Sequence, residues 1–489
     1  MLESIIRLSI RARWVVIVIT AAVAALGVYN FQRLPIDAVP DITNVQVQVN
    51  TAAPGMSPPE VERQVTARIE MAMGGIPGAD HMRSLSRYGL SQLTIVFRDD
   101  VDIYFARQLV GERLREASED LPPGAGQPEM GPTATGLGEI FMWAVEAEPG
   151  ALRPDGGAYT ATDFREAQDW IVKPQLRTVP GVTEVNTIGG YVKQYHVTPD
   201  PAKLVAHGLT FRNILDALNA NNLNAGAGYI EHIGEQYLVR IPGVVTQVQD
   251  VEKILVSVED GVPIRIRDLA TVGIGEELRT GAATENGAEV VLGTVFMLIG
   301  ANSRTVSHDV AARMEQIQTT LPEGLKVRTV YDRTRLVDAT LHTVREHLTF
   351  GAVLVIAVLF LMLGNARAAF LVALTIPLAG LFAVSGMVHN RISGNLMSLG
   401  AIDFGIIVDG AVVMVENMVR RFGHRQAAAG RLLTRDERLH EAFESAREVA
   451  KPTLFGVGII MIVYLPILTL SGIEGKMFKP MAMTVLLAL

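Results

Sequence analysis

Hydrophobic residues in this chain follow two patterns. In the first they form long unbroken runs. Residues 14–31, 348–366, 368–388 and 452–473 hold no charged side chain, and residues 392–419 match them except for three acids. Each run reaches the roughly 20 residues that a membrane-crossing helix needs. A sixth run opens at Pro480 and stops at Leu489, so five complete spans, part of a sixth and an incomplete chain are expected. Ala22-Val23-Ala24 resembles a signal-peptidase site, but the apolar run continues past it, which predicts an uncleaved anchor.

The second pattern fills residues 35–346, where short alternating and amphipathic segments alternate. Val45-Gln46-Val47-Gln48-Val49 has the period of a strand. Ser57-Pro58-Pro59-Glu60 opens a helix running to about Met73. Pro77-Gly78, a strand, a turn at Tyr88-Gly89, a strand over 92–98 and a helix over 103–121 follow. This β-α-β-β-α order is a split βαβ pattern. It recurs as a strand over 140–146, a helix over 162–178, Pro180-Gly181, strands around Gly189-Gly190, a strand over 290–299 and a helix over 303–321. The Pro-Gly turns are 103 residues apart, whereas the closing Leu121-Pro122-Pro123-Gly124 and Leu321-Pro322-Glu323-Gly324 are 200 apart. The second copy therefore holds a long mixed α/β insertion.

The expected fold class is an α-helical polytopic membrane protein with a large α/β part, made of two ferredoxin-like split βαβ subdomains and an inserted subdomain. The expected divisions are 1–34 (N-terminus and first span), 35–132, 133–198 with 286–332, the insertion 199–285, and 333–489 (spans two to six, with a charged loop at 420–448).

Charge sets the orientation. Arg7, Arg11 and Arg13 precede the first span, and seven arginines lie in 420–448. Both segments are expected in the cytoplasm, with residues 35–346 on the other side. The 489 residues carry a net charge of −8, which argues against nucleic acid as a partner, and there is no cysteine for disulfides or thiolate metal sites.

The three acids of the fourth span are Asp403, Asp409 and Glu416. Each costs about 2.5–3.5 kcal/mol at a span centre, so such residues usually face a protein interior and move ions or protons. On one continuous helix Asp409 and Glu416 share a face, and Asp403 lies about 120° from Asp409. Gly405, Gly410 and Ala411 are small enough to let another helix approach. A pair of catalytic aspartates, as in an intramembrane protease, would come from two helices, so the chain is expected to be a transporter rather than an enzyme, with no cofactor. Asp99, Asp100 and Asp102 open a helix at Ile103, where acids suit the positive helix end. The methionines at 387, 397, 414 and 418 suit ordinary membrane packing.

Asp-Phe-Gly-x3-Asp-Gly-Ala-x3-Val-Glu-Asn over 403–417 resembles the fourth-span signature of heavy-metal efflux pumps, a branch of the resistance–nodulation–division superfamily. Residues 34–43, 136–140, 464–468 and 472–478 resemble the same family, so the likeness spans the chain. The spelling is that of the cobalt–zinc–cadmium group. The resemblance implies proton-coupled export of a divalent cation, with Asp403, Asp409 and Glu416 as the proton relay and the metal as substrate. It implies an inner-membrane homotrimer with two periplasmic porter subdomains and a docking insertion, a periplasmic adaptor, an outer-membrane channel and surrounding lipid. A chain of this length would be the first half of such a pump. Glu139, within Gly136-Leu137-Gly138-Glu139-Ile140, is the candidate metal contact. A pump for organic compounds and a non-transporting truncated protein are the competing readings.

Overall fold

The computed structural model describes residues 2–279, 281–390 and 392–489. Among the described residues five helical stretches are long and apolar enough to cross a membrane: Arg13–Phe31, Arg333–Leu363, Ala366–His389, Leu396–Ala429 and Arg435–Leu468. A further helix, Gly472–Ala488, begins ahead of Pro480, where the sixth run was expected to open. Thr469, Ser471 and Gly472 provide turn chemistry that ends the fifth helix at Leu468. The segment 420–448 is not a loop. Both flanking helices run into it, leaving only residues 430–434 outside helix, with Gly430 left-handed as a stop.

The polar part forms three α/β units. In the first, the strands Gln46–Ala52, Ala79–Arg87, Leu90–Phe97 and Glu129–Met130 pair antiparallel in the spatial order second, third, first, fourth. Val47 and Val49 of the first strand and Leu93, Ile95 and Phe97 of the third turn to one face. Two helical segments, 58–73 and 103–119, cover that face with Val61, Val65, Ile69, Ala106 and Val110. Each Val and Ile side chain among these contributes about 1.5–3 kcal/mol when fully buried. Asp102 caps the second helix, accepting from the backbone N–H of Tyr104 and Phe105 at 2.9 and 3.0 Å. Ser57 and Glu60 form a reciprocal cap on the first. The Ser57 hydroxyl, then its backbone N–H, holds the Glu60 carboxyl below its ordinary range.

In the second unit Ala134–Ala147, Val182–Ile188, Ala288–Leu298 and Leu325–Asp332 take the same spatial order. The first helix of each unit also carries one π turn, Glu62–Thr66 and Gln168–Val172. Trp143, fully buried, donates from Nε1 to Gln168 Oε1 at 2.9 Å. Gly293 lies opposite Trp143 in register, and a Cβ there would overlap the indole.

The strand Lys193–Pro199 was expected with the second unit. It pairs instead with Ala270–Glu276, so the inserted unit begins ahead of residue 199, while Ala283–Glu285, expected in the insertion, pairs with Ala288–Leu298 of the second unit. Strand alternation specifies a face and not a partner. The insertion has its own small core of Leu204, Ile214, Val251, Ile266 and Leu269. It also projects a hairpin, Ala225–His232 with Glu235–Ile241, whose Ile230, Ile233, Leu238 and Ile241 are exposed.

Candidate functional site

The fourth span contains a break. Leu396–Gly400 is a short helix capped by Asn395, whose Oδ1 accepts from the N–H of Met397 and Ser398 at 3.0 and 2.9 Å. The chain then leaves helix at residues 401–403 and re-enters at Phe404. Asp403 is the cap of this second helix, its Oδ1 accepting from Gly405 N at 2.8 Å. The expected angle between Asp403 and Asp409 on one continuous helix therefore does not apply. The capping signal was present, since an Asp before an apolar run is a helix start. The unbroken hydrophobicity on both sides hid it.

Asp409 and Glu416 do lie on one helix, seven residues apart, and both are exposed, with Val413 exposed between them. Among the described residues no hydrogen bond or ion pair reaches either carboxylate. The opposite side of the helix is closed. Phe404, Val408, Ala411, Val412 and Val415 pack on Leu359, Ala369, Val372 and Ile376. At Gly410 an added Cβ would stand 3.1 Å from Thr453 Cγ2, so this glycine sets the approach of the fifth helix. Gly405 has a different role from the one expected, because its nearest neighbour is the capping carboxylate of Asp403.

One residue past Glu416 the surroundings invert. Asn417 is buried, donating from Nδ2 to Ser445 O at 2.9 Å and Glu448 Oε2 at 3.2 Å, and accepting from Arg420 at 2.7 Å. Glu441, 3% exposed, accepts from Arg421 Nε at 3.3 Å and Arg425 Nε at 2.7 Å. This network joins the fourth and fifth helices at their basic end. Sequence reasoning used these arginines only for orientation and missed the carboxylate that gathers them, because one acid in a charged helix looks solvated.

Two polar clasps tie the α/β units to the membrane helices. Arg333, 4% exposed, follows directly on the strand Leu325–Asp332 and opens the second span. It donates to Asp37 Oδ1 at 2.7 Å and to Leu137 O at 3.0 Å. Lys476 of the last helix reaches Asp99 Oδ1 at 2.7 Å and Thr43 O at 2.8 Å. Asp37 and Lys476 both sit in stretches that carried the family resemblance, but their partners are too distant in sequence to infer.

Glu139 is exposed on the strand Ala134–Ala147, between buried Gly138 and Ile140. Among the described residues no group of three or more His, Asp or Glu is placed to hold a metal ion. Met387 is fully buried in apolar packing with Leu34, Val344, Val384 and Leu399.

The pattern of the AcrB/AcrD/AcrF family matches residues 5–489. The cation efflux system protein CzcA of Alcaligenes sp. (strain CT14) is 61% identical over all 489 residues, which make up 46% of that protein. The nickel and cobalt resistance protein CnrA of Cupriavidus metallidurans is 47% identical over the whole chain and 48% of its own length. A solved heavy metal efflux pump superimposes with a TM-score of 0.86 at 35% identity, over 99% of this chain and 46% of that one. The chain thus spans about half the length of the relatives it matches. It belongs to the AcrB/AcrD/AcrF family, on the heavy-metal efflux branch of the resistance–nodulation–division superfamily.

Proposed function

We propose that this chain forms part of an inner-membrane pump that exports divalent heavy-metal cations in exchange for protons. The observation that carries the reading is the open acidic stripe of Asp409 and Glu416 on a helix whose other side is packed shut. A carboxyl group in such a position is tolerable when protonated and costly when ionised, so proton binding changes the energy of the helix. Asp403, at the break, extends the relay toward the α/β units. Efflux of metal rather than organic compounds is supported by the relatives named for cation, nickel and cobalt transport or resistance.

The arginine-rich ends of the first, fourth and fifth helices face the cytoplasm in this reading, and the α/β units face the periplasm. The shared strand order supports two ferredoxin-like porter subdomains. The exposed apolar hairpin of the insertion suits docking to a neighbouring copy in a homotrimer, with an adaptor protein and an outer-membrane channel completing the assembly. Glu139 is proposed as a surface contact for the metal on its way through the porter subdomains.

The test is transport by the native pump in cells lacking their own exporters, comparing zinc, cobalt and cadmium with organic dyes. Lower metal accumulation with unchanged dye accumulation is expected. Dye export without metal export would replace this reading with a drug pump.

A further inference from the structure

The N-terminal helix Leu2–Arg11 leads into the first span and lies against the start of the helix Arg435–Leu468. Between them is an open cavity of about 590 Å³ lined by Arg7, Arg11, Arg13, His440, Phe443 and Arg447. The Arg7 guanidinium sits 5.0 Å from the centre of the Phe443 ring, and that of Arg447 sits 5.9 Å from the same ring. Two like charges therefore share one aromatic side chain. Glu444 pairs with Arg447 at 2.6 Å and accounts for one positive charge. Among the described residues no carboxylate lies within ion-pair distance of Arg7, Arg11 or Arg13. Nearby, Arg421 and Arg425 are matched by Glu441, and Arg431 by Glu437. The cavity gathers three guanidinium groups that no carboxylate matches among the described residues.

Its depth in the bilayer says which anion fits. Arg13 is followed at once by exposed Trp14 and the first apolar run, and Arg447 lies one turn before the apolar run that opens at Pro452. Tryptophan and arginine at a span end mark the headgroup level. Helix Leu2–Arg11 is amphipathic, and its Ile5 and Leu8 are exposed beside the arginines. A soluble anion needs no such apolar flank, whereas a lipid acyl chain does. Guanidinium groups also bind phosphate oxygens in pairs, with fixed geometry.

We propose that this cavity is a binding site for the phosphate headgroup of an anionic phospholipid, with the acyl chains lying along Ile5, Leu8 and the first span. The lipid would fasten the N-terminal helix to the fifth span. The inference needs only that the apolar helices sit in a bilayer and does not depend on what the pump carries.

The test is native mass spectrometry of the full chain in mild detergent, titrated with phosphatidylglycerol or phosphatidylcholine of equal chain length. Glycerol phosphate serves as the soluble competitor. Phosphatidylglycerol is expected to bind preferentially, and Arg7→Gln with Arg447→Gln is expected to weaken it about 25-fold, at roughly fivefold per arginine. Arg212→Gln, on the inserted unit, is expected to leave binding unchanged. Should the double variant fail to fold, Arg11→Glu at an exposed position supplies the same loss of positive potential. Equal retention of both lipids, or undiminished binding in the variants, would overturn the proposal. So would glycerol phosphate binding as tightly as the lipid, which would make the cavity a soluble-anion site.

Discussion

Glu416 and Asn417 are consecutive residues of one helix with opposite surroundings. Glu416 is exposed on the same stripe as Asp409 and has no partner among the described residues. Asn417 is buried and makes three hydrogen bonds, to Ser445, Glu448 and Arg420. Glu441, facing it from the fifth helix, is likewise closed by two arginines. The contrast separates two uses of polarity in a membrane helix. A group that holds helices together is saturated with partners. In the proposed reading, a group that gains and loses a proton is left open on a face that the rest of the chain does not cover.

The largest stability effect is expected where the closed network loses its centre. Glu441→Ala removes the carboxylate shared by Arg421 and Arg425, leaves Arg421 with Glu448 alone and should cost about 2–3 kcal/mol, as for charge-assisted hydrogen bonds at a buried group. Unfolding in mixed micelles measures it, and a change under 1 kcal/mol would mean that the network is decorative. Asn417→Ala should cost about 1–2 kcal/mol by removing the hydrogen bonds to Ser445, Glu448 and Arg420, the Ser445 carbonyl keeping its partner within the helix. Asp403→Ala removes a helix cap and should cost about 1 kcal/mol, whereas Asp403→Asn keeps the cap and should cost a few tenths. The Asn variant also separates capping from the proposed proton role of Asp403, since lost transport with retained stability would isolate the latter. The smallest stability effect is expected for Glu416→Gln, within about 0.5 kcal/mol as for an open surface position. A large loss there would show that Glu416 has a structural partner and would break the contrast.

Much of this arrangement was legible in the sequence because it is local. The spans follow from uncharged runs, the helix at Ile103 from the capping Asp102, and the acidic stripe from a seven-residue spacing. The break at residues 401–403 was not legible, because hydrophobicity reports the membrane and not the continuity of a helix. The partnership of Lys193–Pro199 with Ala270–Glu276 was hidden for a related reason, since period two carries no address for the pairing strand. Arg333 with Asp37 and Lys476 with Asp99 are tertiary pairs across hundreds of residues. Single charges in polar segments give no sign of such partners, although Asp37 and Lys476 each stood in a stretch marked by family likeness.

The most direct measurement is proton movement on addition of zinc or cobalt to vesicles containing the native pump, with Asp409→Asn alongside. Metal-driven proton flux in the native pump and none in the variant, at equal amounts of folded protein, is the expected result. Undiminished flux in Asp409→Asn would contradict the assignment of the open stripe to proton transfer.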